Sequence, residues 1–379
     1  MSIRKRSWTS RNGEKKEAWI VDYVDQQGER HIQTFDRKKH ADEFQATVKV
    51  DVGKGIHTPQ SRSLTVADAA ENWIKYVELE KRERSTLDQY RGHVDNHINP
   101  RLGREKLAKL TTPRIQAFRD ELLAALSRAQ AKKVLTSLKS LLKDAQRRGH
   151  AAQNVALGVS IKRDNRDKSR LRVGVDIPTP EEIKRIINAA TGNIRPLLVV
   201  ATFTGLRSSE LRGLRWADVD LNGGKLHVRQ RADRYNAMGQ PKSEAGDRVI
   251  PLGPMVVNTL RKWRLACPKG ELGLALPNTV GKIWNHVGIL RAMWRTVVAA
   301  GVVNAEGEAK YTGLHSLRHF YASWCINRKA DGGLELPAKT VQARMGHSSV
   351  VITMDTYGHL FPDSDDGSEL ADAEKALLA

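Results

Sequence analysis

Residues 161–175, IKRDNRDKSRLRVGV, constrain the fold of this chain more than any other stretch. They are polar, charged with both signs and without apolar periodicity, so they offer neither a buried strand nor a helix with an apolar face. In a chain of 379 residues such a stretch reads as an interdomain linker, and the parts on either side must each build a core of their own.

Those parts differ in pattern. Residues 18–25 (AWIVDYVD) are β-branched and aromatic, residues 26–29 contain Gly28 and read as a turn, and residues 31–35 read as a second strand. Asp36 is placed to cap a helix through Lys49. Arg4, Lys5, Arg6, Arg11, Lys15 and Lys16 precede this unit, and residues 53–59 follow as a linker. From 63 to 154 the periodicity is helical. Val66, Ala69, Trp73, Ile74 and Val77 repeat behind the cap Thr65, and further helices are expected over 86–98, 113–126 and 134–145. The last has Leu135, Leu138, Leu141 and Leu142 on one side, with Lys132, Lys133, Lys139, Lys143, Arg147 and Arg148 on the other. Beyond the linker, Thr179 followed by Pro180, Glu181 and Glu182 opens a helix. Residues 225–231 and 247–252 alternate as strands, and the remainder is mostly helical.

The expected fold is therefore multidomain and mainly α with small β-sheets. A small ββ(β)α domain spans 1–57, an all-α domain 63–158, a linker 159–177, a mixed α+β but mostly helical domain 178–362, and a tail 363–379 with a short helix over 369–378.

Charge narrows the partner. Lys and Arg number 63 against 43 Asp and Glu, a formal net charge of +20. Spread along the chain, that surplus favours a polyanion, and nucleic acid comes first. A membrane surface would ask for a basic amphipathic helix with a strong aromatic face, which the sequence lacks. Residues 1–8 have no apolar h-region, and the apolar run 197–203 is far too short to cross a bilayer. Cys267 and Cys325 show neither metal spacing nor a disulfide framework, so a reducing cytoplasm is expected.

Four stretches carry chemistry: Thr204–Leu211 (TGLRSSEL); Pro241-Lys242-Ser243 running on to Arg248–Leu252; His315–His319 (HSLRH); and Gly346–Ser349 ending in Asp355-Thr356-Tyr357-Gly358-His359. Taken singly each has a plain reading. Arg207, with Glu210 at i+3, is half an ion pair. Lys242 is a solvated turn residue. His315 and His319 have the i, i+4 spacing of a zinc pair, but no Glu follows His315 and no third ligand is near. Tyr357 is a packing residue. Taken together they hold one phosphodiester. Two arginines fork onto non-bridging oxygens, histidines relay protons near neutral pH, a lysine protonates a departing alkoxide, and a tyrosine held beside cations becomes a nucleophile. No Asp/Glu triad for divalent ions and no Walker A motif is recognisable, so the expected chemistry uses neither metal nor ATP, and no cofactor.

At these residues the chain resembles the tyrosine recombinase, or phage integrase, family, whose pattern runs Arg, Lys, His-x-x-Arg, His or Trp, then Tyr. Arg207, Lys242, His315, Arg318, His347 and Tyr357 match it in order, and the words TGLRSSEL, HSLRH, MGHSS and DTYGH match around them; Lys225 is a weaker competitor for the lysine. Residues 86–110, with Ile98-Asn99-Pro100-Arg101-Leu102-Gly103, resemble the family's helical core-binding domain, and the first segment resembles its small arm-type DNA-binding domain.

The resemblance implies that Tyr357 attacks the scissile phosphate to leave a 3′-phosphotyrosine and a free 5′-hydroxyl. Arg207 and Arg318 would bind non-bridging oxygens, Lys242 would protonate the leaving oxygen, His315 would assist proton transfer at the tyrosine, and His347 would hydrogen-bond the phosphate. Glu210 and His319 are expected to support rather than catalyse. The implied partners are double-stranded DNA at attachment sites, three further copies in a tetramer that passes through a Holliday junction, a DNA-bending host factor and an excisionase. The implied place of work is the nucleoid in a bacterial cytoplasm. A type IB topoisomerase shares the covalent chemistry, a chromosome or plasmid dimer resolvase shares the family, and a catalytically silent DNA-binding protein is the alternative of another class. The arm-like first domain and the intact six-residue set favour an integrase that inserts or excises a phage or mobile element.

Overall fold

The computed structural model describes residues 1–10, 12–25, 27–53, 59, 63–162, 170–241, 243–362 and 368–378, with the side chains of 368–369 and 371–373 excepted. The chain divides into two compact units, Met1–Asn165 and Arg166–Ala379, and the division falls inside the polar stretch.

The first unit opens with an antiparallel meander of β1 (Ser2–Thr9), β2 (Lys15–Val24) and β3 (Arg30–Phe35), followed by α1 (Lys38–Gly53). Ile3 pairs with Val21 and Val21 with Gln33. Side chains alternate across a sheet, so Trp19, Val21, Tyr23 and Phe35 share one face and pack on Ala41, Phe44 and Val48 of α1. The opposite face carries Arg4, Arg6, Trp8, Arg30 and Ile32. Strand β1 is not evident from sequence, where its Arg4, Lys5 and Arg6 read only as a basic run. An edge strand buries little of either face, and this one is held by its ladder to β2 rather than by an apolar pattern. Arg11, also expected in that run, and most of the 53–59 linker lie outside the described residues.

The helical part comprises α2 (Val66–Leu79), α3 (Arg84–His93), α4 (Asn99–Leu102), α5 (Thr112–Ala125) and α6 (Arg128–Arg147). Thr65 caps α2 in a reciprocal capping box with Asp68. A helix expected to stop at Ile98 instead continues from α3 into α4 through a π-turn, Val94–Ile98, in which the Asn99 N–H reaches back to the Val94 carbonyl. Pro100 follows at once. It has no N–H to give and its ring crowds the preceding turn, and the wide turn absorbs both faults without ending the helix. On α6 the leucines are buried as expected, but part of the basic side is already engaged. Arg147 and Arg148 bond the buried Asp144 at 2.8 Å each and lie over the Tyr76 ring, and Lys139 donates to the Leu157 carbonyl. Val159 and Ile161 close this core.

The second unit holds α7 (Pro180–Ala189), α8 (Ile194–Thr204), α9 (Ser208–Gly213), β4 (Val219–Asp220), β5 (Lys225–Val228), β6 (Arg231–Ala232), β7 (Met238–Gly239), β8 (Arg248–Pro251), α10 (Pro254–Ala266), α11 (His286–Ala299), α12 (His315–Ile326), α13 (Ala338–Met345), α14 (Val350–Tyr357) and α15 (Ser368–Leu378). Strands β4, β5 and β8 form an antiparallel sheet, and the stretch between β5 and β8 contains the separate hairpin β6–β7. Helix α8 is buried all round, with Leu197, Leu198 and Val199 fully shielded, and the core of the unit forms on it. Residues 363–367 of the tail lie outside the described residues. Among the described residues no helix is long and apolar enough to cross a membrane.

Candidate active site

Two glycines in left-handed conformation shape the site. Helix α8 ends at Gly205, φ +61°, where any Cβ would run into the Tyr321 ring. Helix α13 ends at Gly346, φ +63°, where a Cβ would stand 2.7 Å from Arg248 Nη1. Both requirements exclude a side chain: left-handed backbone penalises a Cβ, and the space is already filled.

The turn after Gly205 puts Arg207 at the N-terminus of α9. Glu210, three residues on, takes the Arg207 N–H at 2.9 Å and its Nη1 at 2.8 Å. Arg207 Nη2 donates to the Gly346 carbonyl at 2.8 Å. Glu210 also receives Arg248 Nη1 at 3.2 Å and Nη2 at 2.9 Å, while Arg248 Nε holds the Arg344 carbonyl at 2.8 Å. Burial alone would raise the Glu210 carboxyl; its bonds to Arg248 and the charges of Arg248 and Arg207 pull it down to about 2.

Arg318 on α12 is almost wholly buried. It donates to the Gly205 carbonyl and, at 2.5 Å, to the Met345 carbonyl, so it ties the end of α8 to the end of α13. Burial first, then the neighbouring Arg207 and Arg248, lower its guanidinium to about 9, with Glu210 and Tyr357 opposing. It is still a cation at neutral pH. Two of its five N–H donors are spent on carbonyls.

Tyr357 closes α14 and is buried. Its hydroxyl lies 2.7 Å from His319 Nδ1, one position beyond Arg318 on α12. Burial lifts the phenol to about 12 against the pull of Arg318. His347 stacks on the Tyr357 ring, centroids 6.3 Å apart and planes 9° apart, and its Nδ1 meets the Thr353 hydroxyl at 2.9 Å. His315 is exposed and packs edge-on against His319, centroids 4.9 Å apart. Burial, aided by neighbouring cations, lowers His319 and His347 to about 4. They are neutral at pH 7.

Arg207, His315, Arg318, His347 and Tyr357 thus fall into one connected set. Lys242 lies outside the described residues. Lys225, its competitor, is the exposed first residue of β5. The hairpin β6–β7 that precedes Lys242 in the chain is braced by buried Arg212, which donates to the Asp233 carbonyl at 2.8 Å, the Trp284 carbonyl at 2.7 Å and the Asn236 side chain. Sequence reasoning missed Arg248 as a member of the set. Its signal was present: Arg248 and Ile250 point inward from the same strand, and a charge on a buried strand face needs a partner. Sequence reasoning also set His315 at the tyrosine, whereas the hydroxyl's partner is His319.

One group of possible metal ligands occurs among the described residues, Asp25, Glu29 and His31 in the N-terminal domain. Asp25 there is spent on the Gln27 and Glu29 N–H groups and on His31.

The two depressed histidines link stability to pH. A histidine that titrates near 4 when folded and 6.5 when unfolded binds its proton first in the unfolded chain, so stability is full above about 6.5 and declines as pH falls toward 4. The unfolding midpoint should drop over that window, and His347→Gln should shallow the drop. An unchanged slope in that variant would remove His347 from the account.

Arg207 and Arg248 thus bond one buried carboxylate, Glu210, and Arg318 bears on both Glu210 and Tyr357. The phage integrase family profile matches residues 178–363, and the N-terminal SAM-like domain of phage integrases matches residues 65–123. The chain belongs to the phage integrase family. A tyrosine recombinase XerC-like protein of Caldanaerobacter subterraneus subsp. tengcongensis is 25% identical over 79% of this chain and 81% of its own length. The Tn1549 transposon integrase in complex with transposon right end DNA has a TM-score of 0.65 at 19% identity, over 82% of this chain and 99% of that one. A lambda integrase tetramer bound to a Holliday junction has a TM-score of 0.58 at 20% identity, over 90% of this chain and 95% of its own.

Proposed function

We propose that this integrase is a site-specific DNA recombinase that breaks and rejoins DNA through a 3′-phosphotyrosine at Tyr357. The observation that carries the reading is the placing of one buried tyrosine hydroxyl in a set with Arg207, Arg318 and His347. Arg207 and Arg318 bind the non-bridging oxygens of the scissile phosphate, and Glu210 with Arg248 holds Arg207 in place. The Tyr357 oxygen attacks phosphorus, the 5′-oxygen leaves with a proton from Lys242, and the ester to the tyrosine conserves the bond energy for rejoining without ATP. His347 hydrogen-bonds the phosphate. Four copies synapse two attachment sites and exchange strands through a Holliday junction, each α15 docking on a neighbour, with a bending protein and an excisionase setting direction. The work is done on the nucleoid, in the bacterial cytoplasm.

Incubation in EDTA with DNA from the region flanking the gene, quenched with SDS, tests this. The expected result is a protein–DNA adduct and, with paired sites, recombinant joints. Relaxation of supercoils without recombinants would favour a topoisomerase.

The integrase reading over a dimer resolvase rests on the N-terminal sheet. On the face turned from α1, exposed Arg4, Arg6, Trp8 and Ile32 flank buried Ile20 and Asp22 and combine cations with apolar contacts, the make-up of a surface that binds a second, arm-type site. Replacing Arg4 and Arg6 by Ala should reduce the slope of log K against log salt by about two on arm-type DNA. An unchanged slope would move the contact elsewhere.

A further inference from the structure

We propose that His319 is a catalytic residue, the base whose Nδ1 takes the proton of the Tyr357 hydroxyl as the tyrosine attacks DNA. The inference rests on the recombinase reading and deepens it by assigning the step that activates the nucleophile.

Geometry selects His319 by elimination among the groups around Tyr357. Its Nδ1 stands 2.7 Å from the hydroxyl, a proton-transfer distance. The His347 ring lies flat against the tyrosine ring, and its Nδ1 is engaged with Thr353. His315 meets the edge of His319 and is exposed. Arg207, Arg248 and Arg318 are cations and cannot accept. For Tyr357 to give up its proton here, Nδ1 must be the unprotonated nitrogen and the ring's own hydrogen must sit on Nε2.

The electrostatics fit the task. The groups that bear on His319 are His315 and Arg318 from its own helix, Asp176 from the segment before α7, and Tyr357 from α14. Burial, His315 and Arg318 outweigh Asp176, so the ring is neutral and ready to accept in the free protein. A bound phosphodiester brings a negative charge to the cluster. It offsets the arginines and raises the basicity of His319, so the base strengthens only when substrate is present.

The step balances. The Tyr357 O–H bond breaks and its proton passes to His319 Nδ1, while the tyrosine oxygen forms a bond to phosphorus and the bond from phosphorus to the 5′-oxygen breaks. That oxygen takes its proton from Lys242. On rejoining, the 5′-hydroxyl attacks phosphorus and gives its proton to Lys242, the bond from phosphorus to the tyrosine oxygen breaks, and His319 returns the proton to that oxygen.

The experiment is single-turnover adduct formation across pH 5.5–9.5 at the site mapped with the wild-type chain, for wild type, His319→Ala, His319→Gln and His315→Ala. DNA affinity and melting temperature are measured alongside. Glutamine can accept the tyrosine's hydrogen bond but cannot carry its proton, so it separates a base from a mere support, and it also serves if the alanine variant fails to fold. The wild-type rate should level off near neutral pH. Both His319 variants should be slower by about 10²-fold or more at pH 7, with DNA affinity held, and should climb about tenfold per pH unit as hydroxide replaces the base. His319→Gln at the wild-type rate, or both variants slowed with the wild-type pH profile, would overturn the assignment. So would the steep profile in His315→Ala alone, which would pass the role to His315. No adduct from the wild-type chain would defeat the recombinase reading itself, and the assignment with it.

Discussion

Replacement of Tyr357 by phenylalanine is expected to abolish covalent capture of DNA while leaving binding intact. Phenylalanine keeps the ring that stacks on His347 and fills the same buried space. It removes one oxygen and the hydrogen bond to His319, a loss of about 1 kcal/mol in stability. The arginines that would hold the phosphate are untouched, so affinity and its salt dependence should match wild type. The adduct has no other oxygen to form on, so its yield should fall below detection rather than by a modest factor. Binding measured by electrophoretic shift, and adduct by SDS-stable label on the same samples, separate the two effects. An SDS-stable band that persists in the variant would place the nucleophile elsewhere in the chain.

Loss of Glu210 should act through the fold as well as the site. Its carboxylate is buried between Arg207 and Arg248, and the Arg248 side chain is only 6% exposed. Glu210→Ala leaves that guanidinium in the interior without a counter-charge, a situation that costs about 3–5 kcal/mol. For a unit of this size the melting temperature should fall by about 10 °C. Adduct formation should fall too, because Arg207 loses two of its anchors. The pH dependence carries a separate signature. The carboxyl ionises at about 2 when folded against an ordinary 4.5, so the unfolded chain takes up its proton first on acidification. Its contribution is fully present above about pH 4.5 and is lost as pH falls toward 2, and it amounts to about 3 kcal/mol. In Glu210→Gln that acid-dependent component should vanish from the stability profile. If Glu210→Ala melts with wild type, Arg248 has another partner and the buried triad is not what holds Arg207.

Much of this protein was written locally. The cap at Thr65, the apolar stripe of α6, the opening of α7 at Thr179 and the left-handed end of α8 at Gly205 are each decided within a few residues, because capping, helical periodicity and glycine's freedom at positive φ act over one or two turns. The order of Arg207, Lys242, His315, Arg318, His347 and Tyr357 was legible for the same reason: each sits in a short word, His315 and Arg318 sharing one.

Tertiary structure decided the rest. Strand β1 exists because β2 offers it a ladder, and the helix through Pro100 continues because a wide turn fits there; neither leaves an apolar period in the sequence. Within the site, the sequence by itself determined which groups are present, and packing decided which of them touch. His315 and His319 are one helical turn apart on α12 and equivalent by any local measure. Only the approach of α14 brings Tyr357 to His319, and only the close contact of α13 with β8 at Gly346 sets Arg248 against Glu210. Partners 38 residues apart in the chain, as in both of these pairs, are chosen by how helices and strands pack, which no local pattern encodes.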